Sequence, residues 1–319
     1  MLKTVFLNIL KLGITVGLVG WLVRTGKLDF RLIADLFKYP LAGIVAALLY
    51  SSNLYFISER WKYLIKARTT SEIPVPGLIR INWIGLFFSS ILPGSLSGDL
   101  VKVIYLQKLD RNFSKKFIFA SILVDRLTGL SGLILMVGAS SAFYSAGHLG
   151  TTPEMDRLLR INYLLAFLVV AALLLFFRFN PLMRSLLLRI RFLKPLLNFW
   201  DYIVQVRRQI LKAIAVSVLI QFVAVLYFWI LIQPYVGDKM SFLQALAFIP
   251  LGLMALALPI APSGLGVGHA IFQKLFEFAH IPNGASLFNL FFVVTLLVNL
   301  LGAIPYVLAK DEDLGRVDV

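Results

Sequence analysis

The sequence predicts an all-α polytopic membrane protein with about six spanning helices and two re-entrant helix hairpins of opposite orientation. Three observations lead there. Apolar residues make up 59% of the 319 and charged ones only 15%, against about 45–50% and about 25% in soluble domains. Apolar runs near the roughly 20 residues that cross a bilayer recur along the chain. They do not alternate as membrane-barrel strands would. Third, two of the runs are interrupted by proline and glycine, at 92–99 and 258–268.

In order, the first span is Val5–Val23. No small-residue cleavage site follows its apolar run, so it reads as a retained helix and not as a signal peptide. Arg24–Lys38 is a mixed-charge connection, and Tyr39–Ser58 a second span. A basic loop with helix-breaking Pro74 and Pro76 precedes the first interrupted pair, Leu78–Leu92 and Leu96–Gln107. Arms of this length reach roughly 22 Å, short of the roughly 30 Å hydrocarbon core. Phe117–Tyr144 and Leu158–Phe177 are spans, and 178–212 is a basic amphipathic segment suited to the cytoplasmic surface. Ala213–Gln233 spans next. The second interrupted pair is Phe242–Leu258 and Val267–Phe278, followed by a last span at Ala285–Leu308 and a cytoplasmic tail at 309–319.

The whole of 1–319 reads as a single integral membrane domain of the cell (inner) membrane. More than half of the 31 Lys+Arg fall in 59–80, 108–116 and 178–212, which places these regions and both termini in the cytoplasm by the positive-inside rule. Arg24–Lys38 then lies outside with four basic residues, against that rule. The net charge of +15 reflects topology and anionic headgroups, not nucleic acid. Without cysteine there is neither disulfide nor thiolate chemistry. One hairpin entering from each face is the pattern of an inverted repeat.

The first break, Pro93, Gly94, Ser95, Leu96, Ser97, Gly98, offers free amides suited to a phosphate or another anion. Asp99 opens the following arm. It either caps that helix and pairs with Lys102 three residues on, or lines a site, since an intramembrane carboxylate needs a partner or water. Asp125 shares a face with Ser121, Gly129 and Gly132, which permits close helix contact. Arg126 points about 100° away. It either meets Asp125 or Asp99 in a bundle-fixing ion pair, or holds a lipid phosphate with its planar fork. The second break holds Pro262, Ser263, Gly264, Gly266, Gly268 and His269. Its glycines resemble a dinucleotide loop but lack the strand context. His269 either lines a pathway or packs. No cluster accompanies it, so neither a metal nor a cofactor is expected. Asn82, Gln221 and Asn299 read as interhelical glue.

These residues resemble the membrane region of lysyl-phosphatidylglycerol synthases and their stand-alone, flippase-like relatives. The likeness rests on Leu92–Asp99 followed by Lys102, on Val124-Asp125-Arg126-Leu127-Thr128-Gly129-Leu130, and on Pro262–Gly268, and covers about residues 5–308. It implies movement of aminoacylated or glycosylated lipids, or polyprenyl-linked sugars, between leaflets. The matching positions are Pro93, Gly98, Asp99, Asp125, Arg126, Gly129, Pro262, Gly264 and Gly266. Ser97 stands where the family commonly has glycine, and His269 where it commonly has glutamate. The synthase's soluble domain is not expected here, and with it no aminoacyl transfer. The reading is thus a translocase of a phosphate-bearing lipid, not an enzyme, with anionic or polyprenyl-phosphate lipids as partners and a lipid-synthesising enzyme as a possible one. A lipid-modifying transferase or phosphatase, were Asp99, Asp125 and His269 to converge, is the alternative. A non-transporting partner of a synthase is another.

Overall fold

The computed structural model describes residues 37–66, 69, 73–92, 97–146, 153–189, 197–257, 267–281 and 283–308. The first expected span, Val5–Val23, and the tail at 309–319 lie outside them. Eleven α-helices follow in these residues: α1 Pro40–Ile65, α2 Val75–Ile91, α3 Ser97–Leu109, α4 Lys115–Ala146, α5 Pro153–Arg189, α6 Leu197–Gln205, α7 Arg207–Val236, α8 Phe242–Ala257, α9 Val267–Glu277, α10 Gly284–Leu300 and α11 Ala303–Leu308. Five stretches are long and apolar enough to cross a membrane: Pro40–Ile65, Lys115–Ala146, Asp156–Arg178, Arg207–Lys239 and Gly284–Leu308. The chain is a multi-pass, all-α membrane protein.

Local chemistry sets several boundaries. Pro40 opens α1, where its missing N–H costs nothing. Ser114 Oγ accepts from the Phe117 amide at the start of α4. Ser241 and Gln244 bond reciprocally across the first turn of α8, a capping box. α1 runs seven residues past the expected end at Ser58, because Trp61, Leu64 and Ile65 continue its buried stripe. The basic segment 178–212 is divided among the end of α5, α6 and the start of α7.

α1 and α7 lie antiparallel at the centre. Tyr39 meets Tyr235 at one end, Tyr50 meets Tyr227 farther along, and the Arg60 side chain reaches Ser217 near the other. The end holding the close of α1, the start of α4 and helix α6 carries most of the described Lys and Arg, and is termed the basic end. α4 packs on both central helices and on α8, while α5 lies against α4 with most of its surface exposed.

The helices flanking each break are short. α2 and α3, of 17 and 13 residues, reach about 25 and about 20 Å; α8 and α9, of 16 and 11, reach about 24 and about 17 Å. α2 and α3 pair side by side, with Gly77 against Leu109 at the basic end and Gly85 against Gly98. The contact at Gly98 is possible only without a side chain. A Cβ there would stand 2.1 Å from Ser89 Oγ and 2.2 Å from the Gly85 carbonyl oxygen. α8 starts at the opposite, far end, where Phe242 packs on Trp229, and α9 returns beside it with Phe272 filling the space over Gly252. α10 touches both short pairs.

Candidate functional site

Five ionisable side chains gather where α1, α3 and α4 meet; Arg126 lies eleven residues into α4 from the basic end, about 16 Å along its axis. Asp125 on α4 accepts two hydrogen bonds from Arg60 on α1, Nε to Oδ1 at 2.7 Å and Nη2 to Oδ2 at 2.8 Å. Arg60 Nη1 also donates to Ser217 Oγ on α7 at 3.0 Å. Both side chains are 9% exposed, so this fork-to-fork pair is closed. One turn along α4 on either side, Ser121 accepts from Trp61 Nε1 at 3.1 Å and Gly129 leaves room for the guanidinium. A Cβ at Gly132 would stand 2.3 Å from that of Ser217. The small-and-acidic face of α4 thus lies on α1 and α7.

Arg126 points the other way. Its Nε donates to Asp99 Oδ2 at 2.5 Å, joining α4 to the first turn of α3. Asp99 is 9% exposed but Arg126 is 45% exposed. Large apolar side chains that are themselves exposed surround the pair: Leu100 and Ile104 on α3, Leu123, Leu127 and Leu130 on α4. An arginine head therefore opens onto an apolar outer face at the α3–α4 seam. Lys102 pairs with neither acid at bonding distance. Its Nζ lies 5.8 Å from the Trp61 ring centre, within electrostatic reach of Asp99, Asp125, Arg60 and Arg126. Two arginines and a lysine thus stand beside two carboxylates, and the exposed guanidinium among them has the geometry to bond a phosphate monoester or diester.

The second locus lies apart from the first. His269 on α9 pairs with Asn289 on α10 and stands edge-on to Phe288, while Gly268 packs directly on the Phe288 ring. A cavity of about 200 Å³ lies between the last turns of α2 and α8 and the middle of α10. Ser89, Ser90 and Asn299 give it a polar side, and Leu256, Phe288 and Phe292 an apolar one. Asn299 ties three helices together, accepting from Tyr50 at 2.8 Å and donating to Ser90 at 2.9 Å. Asp99 and Arg126 do not line this cavity. Asp99, Asp125 and His269 are each engaged by a different partner, and the described contacts bring no acid–base–nucleophile trio together. Ser97 sits at the first position of α3. Pro93, Gly94, Ser95, Pro262, Ser263, Gly264 and Gly266 lie outside the described residues.

Arg60 is the residue the sequence reading misses, since a basic flank after an apolar run passes for a topology signal. Its spacing was informative: Asn53 and Arg60, seven residues apart, share one helical face, and both are buried.

The model of the lysylphosphatidylglycerol synthase membrane region matches residues 8–308. The chain belongs to this family. The match takes in both short-helix pairs and all five charged residues, and the family is a transport-associated membrane region, not a catalytic one. A UPF0104 membrane protein of Pyrococcus horikoshii, PH1989, is 27% identical over 139 residues, 43% of this chain and 39% of that protein. The chain thus aligns with well under half of that relative's length. No solved structure matches the chain.

Proposed function

We propose that this flippase-like protein moves a phosphate-bearing lipid between the leaflets of the cell membrane, with its headgroup entering at the α3–α4 seam. The carrying observation is Arg126, 45% exposed among outward-facing leucines and ion-paired with Asp99 at the start of α3. The chief barrier to flipping a lipid is desolvation of its polar head. In this reading Arg126 exchanges Asp99 for the incoming phosphate, while the tails stay in the bilayer. Membership in a flippase-like family supports it.

The remaining parts of the reading are topological. α2–α3 and α8–α9 are re-entrant hairpins entering from opposite faces, each too short to span and each resting on α10. They form two halves of an inverted arrangement, with the roughly 200 Å³ cavity beside the last described turns of α2 and α8 as the polar waypoint. The basic end and both termini face the cytoplasm, and the lipid is anionic or polyprenyl-phosphate-linked.

The test is transfer of fluorescent phospholipids in reconstituted vesicles, read by quenching from outside. Arg126→Ala and Asp99→Asn should each reduce transfer to that of protein-free vesicles while the purified variants keep their wild-type elution and helicity. Wild-type rates in both would end the proposal.

A further inference from the structure

The far end of the molecule holds a cavity of about 280 Å³ that the mechanism above does not use. It lies where α1 begins, α7 ends and α10 begins. Lys38 and Lys239 stand at its rim, with Tyr235, Asn283 and Ser286 offering further polar groups, and Leu287 and Leu290 form its floor. Tyr39 and Tyr235 pack edge-on at 5.0 Å beside it and fix one wall. Asp238 shares the short turn with Lys239 but does not line the cavity.

A second hollow, about 260 Å³ and lined by apolar residues, lies between α1 and α10. Pro40, Ile44 and Ala47 line it from α1, Val294, Leu297 and Val298 from α10. Leu287, Leu290, Val294 and Val298 recur at three and four residues, so one stripe of α10 faces both hollows. From Ser286 to Val298 that stripe runs about 18 Å, close to one leaflet of a roughly 30 Å core.

We infer that this two-part groove is a second lipid site: Lys38 and Lys239 hold a headgroup phosphate, and an acyl chain lies along the α1–α10 seam. The pairing of a cationic, hydrogen-bonding mouth with a dry channel of leaflet depth argues for an amphiphile over a soluble anion. The inference deepens the translocase reading and rests on it for purpose, since it supplies a docking point at the far end, away from Arg126. Its physical test is independent.

The experiment uses the full chain in phosphatidylcholine nanodiscs, with phosphatidylglycerol carrying a photoactivatable acyl chain. Mass spectrometry locates the labelled peptides. Label is expected in 37–47 and 286–298, and to fall about fivefold for each lysine replaced in Lys38→Gln and Lys239→Gln. Val294→Trp, which fills the channel, should displace it as well. Both lysines are at helix ends, so the lysine variants keep the test valid if the tryptophan variant misfolds. A diacylglycerol probe, which lacks phosphate, should label the stripe far less. Equal labelling by that probe, or label unchanged in the lysine variants, overturns the inference. So does a disulfide formed between cysteines placed in 5–23 and at Leu297 of this cysteine-free chain, which would mean that the chain's own leading segment fills the groove. The two readings fail separately. Persistent label in the lysine variants with transfer still lost in Arg126→Ala removes only the second site. Lost label with transfer intact in Arg126→Ala removes only the translocation mechanism.

Discussion

Asp125 and Arg126 are neighbours on one helix, and each has found an opposite charge on another helix, yet the two ion pairs differ in kind. Asp125 meets Arg60 through a two-point fork, with Ser217 taking a third guanidinium donor, and both side chains are 9% exposed. Arg126 meets Asp99 through one nitrogen and stays 45% exposed. The roughly 100° turn between successive residues puts one pair inside the bundle and the other on its flank. The closed pair is out of a ligand's reach. The open arginine presents its head at the surface, where a ligand can meet it. The difference teaches that burial, not charge, separates the clamp from the candidate site.

Breaking the clamp should have the largest effect on stability. Asp125→Asn or Arg60→Ala leaves the surviving group without its counter-charge, which typically costs about 3–5 kcal/mol. Thermal unfolding in detergent should show a large fall in Tm for either variant, and the double exchange Arg60→Asp with Asp125→Arg should restore part of it. If both single variants unfold like wild type, the clamp is not what holds α1 to α4. Gly98→Ala comes next. Its methyl would meet the Gly85 carbonyl inside van der Waals distance, and overpacking of this kind costs about 1–3 kcal/mol. Because α3 must move to relieve it, Asp99 moves too, and transfer should fall further than the loss of stability accounts for.

What the sequence revealed follows from which forces act locally. Helix positions were legible because hydropathy and Pro/Gly content act on neighbours in the chain: arms were expected at Phe242–Leu258 and Val267–Phe278, and the described helices are Phe242–Ala257 and Val267–Glu277. The face shared by Ser121, Asp125, Gly129 and Gly132 was legible from its spacing. Arg60 was not, because its role depends on a carboxylate 65 positions away, and Glu59-Arg60 reads locally as a cytoplasmic flank. The three-residue spacing allowed Lys102 to bond Asp99; no such bond forms, and its Nζ lies 5.8 Å from the Trp61 ring centre with Asp99 still an electrostatic neighbour. Asn299 was read as glue between helices, and its links to Tyr50 and Ser90 are of that kind.

Ser217→Ala removes the third bond to Arg60 and leaves the fork intact. A single hydrogen bond of this sort contributes about 1 kcal/mol, so its Tm should shift by much less than in Asp125→Asn, with transfer near wild type. A larger loss would mean that the serine, not the carboxylate, sets the position of Arg60.

Arg126→Gln should cost less stability than breaking the clamp, and it separates the two pairs most sharply. Asp99 is 9% exposed, so losing its counter-charge costs stability, though less than at the clamp, where a two-point fork is lost. Glutamine can still donate one bond to Asp99 but carries no charge for a phosphate and presents no fork. Transfer should therefore collapse with a smaller fall in Tm than in Asp125→Asn, whereas Ser217→Ala leaves transfer near wild type. Arg126→Lys should lie between them, keeping the charge but losing the planar two-point geometry. Unfolding measured beside transfer for the three variants distinguishes the possibilities: a stability loss in Arg126→Gln as large as that in Asp125→Asn would make both pairs clamps, and would leave the α3–α4 seam without a headgroup site.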